Sequence, residues 1–482
     1  MSIDRILKEI KHTNLKKDIW VIPIVIVGFY LTIHPHIDYS FLFHIDEWYH
    51  IAQAKQLALG SDIDWYSGGR FDLGMERAWH GMLAGIYILF NPNIKQWIFL
   101  PSILHSLAII STYIFVAKFL DKKKGLVSSI LMAILPSNNT IGGPVFLIPV
   151  NLSLVIIPIS LLFAFNLIKI KPIYNYLTII ILTTFLLYAH APSAIVLLLI
   201  LTIKSILLVI SKEKPDRKEA IYLFSVIISS ILLSLPNFLN ELSKKGFQSI
   251  SFNFYIKLDE VFLIFGIIQT IFFIIGFYFA SKSKSKEIWA LLLTSLFLIV
   301  NIVIFARLDL NILLPYQRTY IPLFLLMSIL GAIGYTKVLE IKKPFKKIGT
   351  LLLIILLIAT VFPSINNNLN YSYYQIVDDE DYGNSLWILN NTNPDEGLIC
   401  DPWKARAIAP MTERRVYAVS PFGPVEKEVV LVEKSNSFLN NNCRNTSFLI
   451  DNDISVVYAR GFNCYNPDLQ QLKKDIYILK AE

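Results

Sequence analysis

The stretch PSAIVLLLILTIKSILLVISKEKPDRKEAIYLFSVIISSILLSLPNF, residues 192–238, contains two long apolar runs separated by a short charged connection. The runs at 192–210 and 219–238 each approach the roughly 20 residues that a helix needs to cross the hydrocarbon core of a bilayer. The connection between them carries four cationic side chains from Lys212 to Lys218. This alternation predicts a helical membrane protein.

The same pattern continues along most of the chain. It predicts about eleven transmembrane helices, at 18–34, 96–117, 125–137, 145–168, 173–189, 192–210, 219–238, 260–280, 287–305, 317–336 and 348–363. Alternate connections between these spans carry the Lys and Arg clusters, so the positive-inside rule places the N-terminus in the cytoplasm and the C-terminus outside. The apolar segment 78–90 is too short to span the bilayer. We predict that it forms an interfacial or re-entrant helix in the first external loop.

The composition agrees with this topology. Of the 482 residues, 54% are hydrophobic and only 17% are charged, which is more apolar surface than a soluble core would bury. The net charge of +8 comes from short clusters between apolar runs rather than from one continuous basic face, which argues against binding to nucleic acid. The sequence therefore predicts a multi-pass protein of the plasma membrane, of prokaryotic type.

The last quarter of the chain has a different character. We predict a transmembrane domain over residues 1–363, with the first external loop at 35–95, followed by a small external α/β domain over 364–482. All three cysteines lie in this tail, and their spacing is not that of a zinc site. In an external domain Cys443 and Cys464 are expected to form a disulfide, which leaves Cys400 unpaired.

The first external loop begins with HIDEWYH, residues 44–50, directly after the first predicted span. Asp46 and Glu47 are adjacent carboxylates at the membrane surface, where reduced hydration can raise a carboxyl pKa and favour a general base. His50 completes the candidate catalytic group. The alternative is that the two acids simply cap the helix that starts at this point.

A second candidate is Arg318, near the outer end of the span at 317–336. A guanidinium can hold two oxygens of a phosphate. Alternatively, Arg318 extends to the membrane surface as helix-end arginines commonly do, or pairs with Asp309. Further side chains expected to line a substrate site are His44, Tyr49, His190, Tyr316 and Trp403.

These elements in this order resemble the GT-C superfamily of membrane glycosyltransferases, and the layout is closest to the catalytic subunit of oligosaccharyltransferase. The family's D-x-x-Y-H-like setting resembles Asp46, Tyr49 and His50, and its glycine-rich stretch and interfacial helix resemble SGGRFDLGMERAWHGMLAGIYIL. The family's phosphate-binding arginine corresponds to Arg318 in YQRTYIPL. The resemblance implies transfer of a lipid-linked sugar on the external face.

Two motifs of oligosaccharyltransferases are absent. Their second external loop carries an acidic metal-binding pair, whereas residues 136–151 contain no Asp or Glu, and Cys400-Asp401-Pro402-Trp403 stands where they have W-W-D-Y-G. Adjacent Asp46 and Glu47 instead resemble the metal-independent protein O-mannosyltransferases and lipid A aminoarabinose transferases. That likeness implies a polyprenyl monophosphate donor (dolichyl or undecaprenyl) and no cofactor.

The sequence leaves the acceptor open among proteins, glycans and lipids. It also leaves open two other functions. One is a Mg²⁺- or Mn²⁺-dependent oligosaccharyltransferase that uses a pyrophosphate-linked glycan, and the other is a lipid or glycan transporter or flippase.

Overall fold

The computed structural model describes residues 18–60, 64–66, 76–138, 142–167, 172–211, 214–245, 263–308, 310, 312–341, 351, 375–420 and 426–480. In chain order the α-helices are α1 (Val21–Ile33), α2 (Ile45–Leu59), α3 (Arg77–Phe90), α4 (Phe99–Phe119), α5 (Lys122–Ala133), α6 (Pro149–Ala164), α7 (Pro172–Ala189), α8 (Ala191–Ile210), α9 (Lys214–Lys245), α10 (Ile267–Ala280), α11 (Lys286–Leu308), α12 (Tyr320–Ile341), α13 (Asp379–Asn391), α14 (Ala405–Thr412), α15 (Glu426–Asn440) and α16 (Thr446–Asp451). Short 3₁₀ turns cover His34–His36, Ile94–Ile98 and Tyr316–Thr319.

Strands occur only in the last part of the described chain. They are β1 (Gly397–Ile399), β2 (Ile454–Tyr458), β3 (Leu469–Lys473) and β4 (Ile476–Leu479). They form one sheet in the order β1-β2-β4-β3, in which β1 runs parallel to β2 and the other pairs are antiparallel. Together with α13–α16 the sheet confirms the predicted α/β tail.

The predicted spans coincide with helices wherever the structure describes them. Among the described residues, six segments are long and apolar enough to cross a bilayer, namely Ile94–Phe119, Pro172–Ala189, Ala191–Ile210, Pro215–Leu239, Lys286–Leu308 and Tyr316–Glu340. Shorter apolar helices at Val21–His36, Pro149–Ala164 and Ile267–Ala280 match three more predicted spans. The predicted third span corresponds to the short α5, and the last, 348–363, falls almost wholly outside the described residues. The polytopic helical fold class is confirmed, while the sides on which the termini lie remain a prediction.

By its internal contacts the chain divides into two compact units, Met1–Asp38 with Phe99–Leu369, and Tyr39–Ile98 with Asn370–Glu482. We refer to them as the helical unit and the mixed unit. The predicted first external loop, from Tyr39 onwards, and the C-terminal residues thus share the mixed unit. The domain boundary predicted at residue 363 lies outside the described residues.

Within the helical unit, α10 and α12 approach each other unusually closely at two glycines. A methyl group added to Gly276 would lie 1.9 Å from the Leu330 carbonyl oxygen, and one added to Gly334 would lie 2.1 Å from the Phe272 carbonyl oxygen. Small residues allow such backbone contact between helices in a membrane, where packing rather than hydrophobic exclusion holds helices together. Any larger residue at Gly276 or Gly334 would force the two helices apart.

A charged side chain, Lys204, lies well inside the predicted span at 192–210. Lys204 of α8 is fully buried, and its Nζ lies 2.5 Å from Glu219 Oε1 and 3.8 Å from Glu287 Oε1. It also donates to the Ala164 carbonyl oxygen at 3.0 Å. An ionised group at this position needs such partners because the surroundings do not solvate it. Lys204 therefore joins α8 to α9 and α11.

Within the mixed unit, the loop that contains Trp65 and Tyr66 pairs with the C-terminal segment through backbone and side-chain hydrogen bonds. The Val416 amide donates to the Trp65 carbonyl oxygen at 2.8 Å, and the Tyr66 hydroxyl donates to the Arg406 carbonyl oxygen at 2.9 Å. Val416 also forms an isolated parallel bridge with Leu398 of β1. Residues separated by more than 300 positions in sequence thus form one core.

A disulfide joins Cys443 to Cys464, as the sequence predicts, and Cys400 is buried and free. The sulfur of Cys443 lies in a hydrophobic cluster with Phe438, Leu449 and Val457. The bridge therefore ties the end of α15 to the turn that precedes β3.

Replacing both bridge cysteines by alanine should destabilise this cluster. The two cysteines are 21 residues apart in sequence. A disulfide that closes a loop of this size stabilises the folded state by about 2–4 kcal/mol. We expect the amides of β2 to exchange with solvent about 30- to 1,000-fold faster in hydrogen-exchange mass spectrometry. In the Cys400→Ala control a reductant should cause the same acceleration, whereas it should change nothing in the double variant. Equal protection with and without the bridge would contradict the prediction.

Candidate functional site

The beginning of α2 is fixed by a capping box made from the HIDEWYH segment. The His44 Nδ1 atom accepts a hydrogen bond from the Asp46 amide at 3.1 Å, and the Glu47 carboxylate accepts one from the His44 amide at 2.6 Å. Such caps stabilise a helix start by about 1 kcal/mol because they satisfy amides that lack a partner within the helix. The sequence HIDE thus determines where α2 starts.

The cap distinguishes the two adjacent acids. Glu47 is fully buried and its carboxylate faces the helix start, so the capping alternative describes it well. The Asp46 side chain is 30% exposed, and its Oδ2 lies 3.5 Å from His44 Nδ1. Of the pair, Asp46 is the carboxylate that solvent can reach.

One helical turn after Asp46, His50 takes part in a cluster with Glu76 and His80 at the start of α3. His50 Nδ1 lies 3.0 Å from His80 Nε2 and 3.7 Å from Glu76 Oε2. Both imidazoles are buried, whereas the Glu76 side chain is 29% exposed. The indole of Trp79 packs edge-on against His50, with 6.1 Å between ring centroids. The cluster holds the start of α3 against α2.

Aromatic contacts extend from this cluster towards the C-terminal segment of the mixed unit. The Tyr49 ring stacks on Tyr66 at 6.2 Å and meets His80 edge-on at 6.0 Å. Tyr66 in turn binds the backbone of Arg406 in α14. Trp403 lies just before α14, and its amide donates to Asp401 Oδ1 at 2.9 Å.

The other end of α2 is anchored by a buried lysine. Lys55 Nζ lies 2.5 Å from Glu413 Oε1 and donates to the Pro410 carbonyl oxygen at 2.9 Å. Burial lowers the pKa of Lys55, and the neighbouring Glu413 carboxylate partly offsets that effect. The pair fixes α2 against the end of α14, which limits how far Asp46 can move.

The candidate phosphate-binding residue lies in the helical unit. Arg318 is exposed and sits in the 3₁₀ turn Tyr316–Thr319 that leads into α12. Its amide donates to the Pro315 carbonyl oxygen at 2.9 Å. Asn301 stabilises the preceding loop because it donates to the Leu314 carbonyl oxygen and accepts from the Ile312 amide. Asp309, the alternative partner, lies outside the described residues.

Two of the predicted lining residues gather around Arg318. Tyr316 is buried and stacks on Phe305 at 3.8 Å. His190 is buried between α7 and α8, where its Nδ1 lies 2.7 Å from the Ser193 hydroxyl. Burial and then the charge of Arg318 lower the pKa of His190 to about 3, so His190 is neutral near pH 7. The positive charge of this pair is therefore carried by Arg318.

The oxygen-ligand metal site of oligosaccharyltransferases does not fit these residues. Mg²⁺ and Mn²⁺ require several oxygen ligands directed at one point. The Glu47 carboxylate is turned into the helix cap, and residues 136–151 contain no acid that could complete a site with Asp46.

Glu76 and His80 were not predicted as site residues, although both lie in the quoted stretch SGGRFDLGMERAWHGM. Their spacing of four residues places both side chains on one face of a helix start. Asp46 and His50 have the same spacing on α2. Two acid–histidine pairs with this spacing in one loop are the sequence pattern that could have identified Glu76 and His80 as site residues.

The chain is similar over most of its length to solved membrane glycosyltransferases. It matches the Archaeoglobus fulgidus oligosaccharyltransferase in the apo form with a TM-score of 0.61 at 12% identity, over 91% of this chain and 69% of that one. The Archaeoglobus fulgidus oligosaccharyltransferase AglB in complex with an inhibitory peptide and a dolichol-phosphate gives 0.58 at 13% identity, over 92% and 69%.

ArnT from Cupriavidus metallidurans bound to undecaprenyl phosphate gives 0.60 at 9% identity, over 97% of this chain and 98% of that one. No protein-family model and no curated protein sequence matches the chain. These likenesses establish the fold, and the predicted resemblance is confirmed: the chain has the architecture of the GT-C glycosyltransferases.

Proposed function

We propose that the chain transfers one sugar from a polyprenyl phosphate to an acceptor hydroxyl at the external face of the membrane, with inversion at the anomeric carbon. The observation that carries this proposal is that the two adjacent carboxylates at the start of α2 differ in their contacts and exposure. The Glu47 carboxylate accepts the hydrogen bond of the helix cap, whereas the neighbouring Asp46 carboxylate is accessible to solvent. The GT-C fold and the lipid phosphates bound to AglB and ArnT support it.

In this mechanism Asp46 accepts the proton of the acceptor hydroxyl. The acceptor oxygen forms a bond to the anomeric carbon while the bond from that carbon to the phosphate oxygen breaks, and the electron pair leaves with the polyprenyl phosphate. Arg318 binds the departing phosphate, whose negative charge increases in the transition state. No step requires a Mg²⁺ or Mn²⁺ ion. Glu47 and His50 hold α2 so that Asp46 is directed at the acceptor.

The remaining predicted residues take lesser roles in the proposal. His44 contacts Asp46 directly and orients its carboxylate. Tyr49 and Trp403 contribute aromatic surface of the kind that sugar rings pack against. Tyr316 and His190 shape the surroundings of Arg318.

Replacing Asp46 by Asn should remove the base while it preserves the size of the side chain. We expect turnover of a purified polyprenyl-phosphate sugar to fall about 10²- to 10⁴-fold. The control is Asp38→Asn, the same change at an exposed carboxylate, which should keep full turnover. Products are identified by mass spectrometry, and turnover retained in Asp46→Asn would remove Asp46 from the mechanism.

Replacing Arg318 by Ala should weaken binding of the donor phosphate. Charge-assisted hydrogen bonds contribute about 1.5–3 kcal/mol, so we expect the donor KM to rise about 10- to 100-fold. Arg318→Lys should recover part of this loss because it restores the charge without the two-pronged geometry. The matched control is Arg307→Ala, an exposed arginine at the end of α11. An unchanged donor KM in Arg318→Ala would contradict the phosphate role.

The choice of substrate and ion separates the proposal from its alternatives. We expect product from a monophosphate donor in buffer without added Mg²⁺ or Mn²⁺. Product that forms only from a pyrophosphate-linked glycan, and only when Mg²⁺ or Mn²⁺ is added, would instead identify an oligosaccharyltransferase. Movement of the lipid-linked sugar across vesicles without any product would identify a flippase.

A further inference from the structure

The His50, Glu76 and His80 side chains of the mixed unit converge on one point. One ligand atom of each lies within 4.8 Å of the other two. The two imidazole nitrogens are 3.0 Å apart, and His50 Nδ1 lies 3.7 Å from Glu76 Oε2. Two nitrogens bound to one ion at about 2.0–2.1 Å in tetrahedral geometry would lie only slightly further apart than the imidazole pair does.

The helices α2 and α3 hold these three side chains close to one another. His50 lies in the interior of α2, and its backbone is fixed by the capping box at one end and by Lys55 at the other. Glu76 is the residue that precedes α3, and His80 follows one turn later. Both histidines are buried, so their rings are held in place. The carboxylate of Glu76 is partly exposed, which gives it room to close the last ångström and leaves a path for an ion to enter.

The composition of the cluster selects the ion. Imidazole nitrogen is the ligand of Zn²⁺ and similar transition metals, whereas Mg²⁺ and Ca²⁺ prefer oxygen. Two histidines and one glutamate are a set that zinc enzymes use, with the fourth coordination position open to water or substrate. The cluster therefore differs in kind from an oxygen cage for Mg²⁺ or Mn²⁺.

We propose that His50, Glu76 and His80 bind one zinc-class divalent ion that fastens α3 to α2, one helical turn from Asp46. The binding site follows from the geometry of the mixed unit and does not depend on the proposed glycosyl transfer. The competing explanation is a direct hydrogen bond between the two imidazoles that joins the helices without any ion.

The test uses the full-length protein in detergent, stripped of metal and then titrated with Zn²⁺ or Co²⁺. We expect one ion per chain with micromolar or tighter affinity. His80→Ala and Glu76→Gln should each weaken binding at least 10-fold. The control His34→Ala removes a histidine from the helical unit and should leave the affinity unchanged. Stoichiometry is measured by plasma mass spectrometry of the dialysed protein.

Because a ligand variant can also misfold, a second measurement uses the unaltered protein. X-ray absorption of the Zn²⁺-loaded protein should show nitrogen and oxygen neighbours at about 2.0–2.1 Å with the outer-shell pattern of two imidazoles. No bound ion at 100 μM free Zn²⁺, or binding that survives both ligand variants, would overturn the proposal. The Asp46→Asn variant should bind the ion normally even where it has lost turnover, which separates failure of the metal site from failure of the proposed function.

Discussion

The hydrocarbon core of the membrane sets the constraint on which the rest of this structure depends. Backbone amides and carbonyls in lipid have no water to bind, so a spanning segment must satisfy them internally as a helix. The apolar runs of the chain accordingly form helices wherever they are described. Within the described residues, the sheet and the HIDEWYH segment both lie outside the long apolar helices. Charged side chains are costly in the hydrocarbon core, so a candidate site is built from segments such as HIDEWYH.

That loop shows how one local interaction can assign different tasks to identical chemical groups. Asp46 and Glu47 are adjacent in sequence, and both side chains end in a carboxylate. The capping box does so, because the third residue of a helix can reach back to the residue before it while the second cannot. Glu47 is buried in the cap and Asp46 stays accessible. Backbone geometry, rather than acidity, thus selects the candidate base.

The span pattern, the α/β tail and the Cys443–Cys464 bridge were predictable because each depends on local composition or on compartment. The cluster of His50, Glu76 and His80 was not predicted, because it requires knowing how α3 packs on α2. The pairing of the loop after α2 with the C-terminal segment was equally unpredictable, since the Trp65–Val416 and Tyr66–Arg406 hydrogen bonds link residues more than 300 positions apart. The hydrophobic periodicity of the sequence predicts where a helix or strand lies. Which elements contact one another is seen only in the packing of the structure.

The glycine contact between α10 and α12 also restricts where a lipid chain can lie. At Gly276 and Gly334 the two backbones touch, and no acyl or polyprenyl chain can pass between them. The contact between α10 and α12 therefore leaves no lateral opening between these two helices at Gly276 and Gly334. In the proposed function, the polyprenyl tail of the donor therefore enters the helical unit between a different pair of helices.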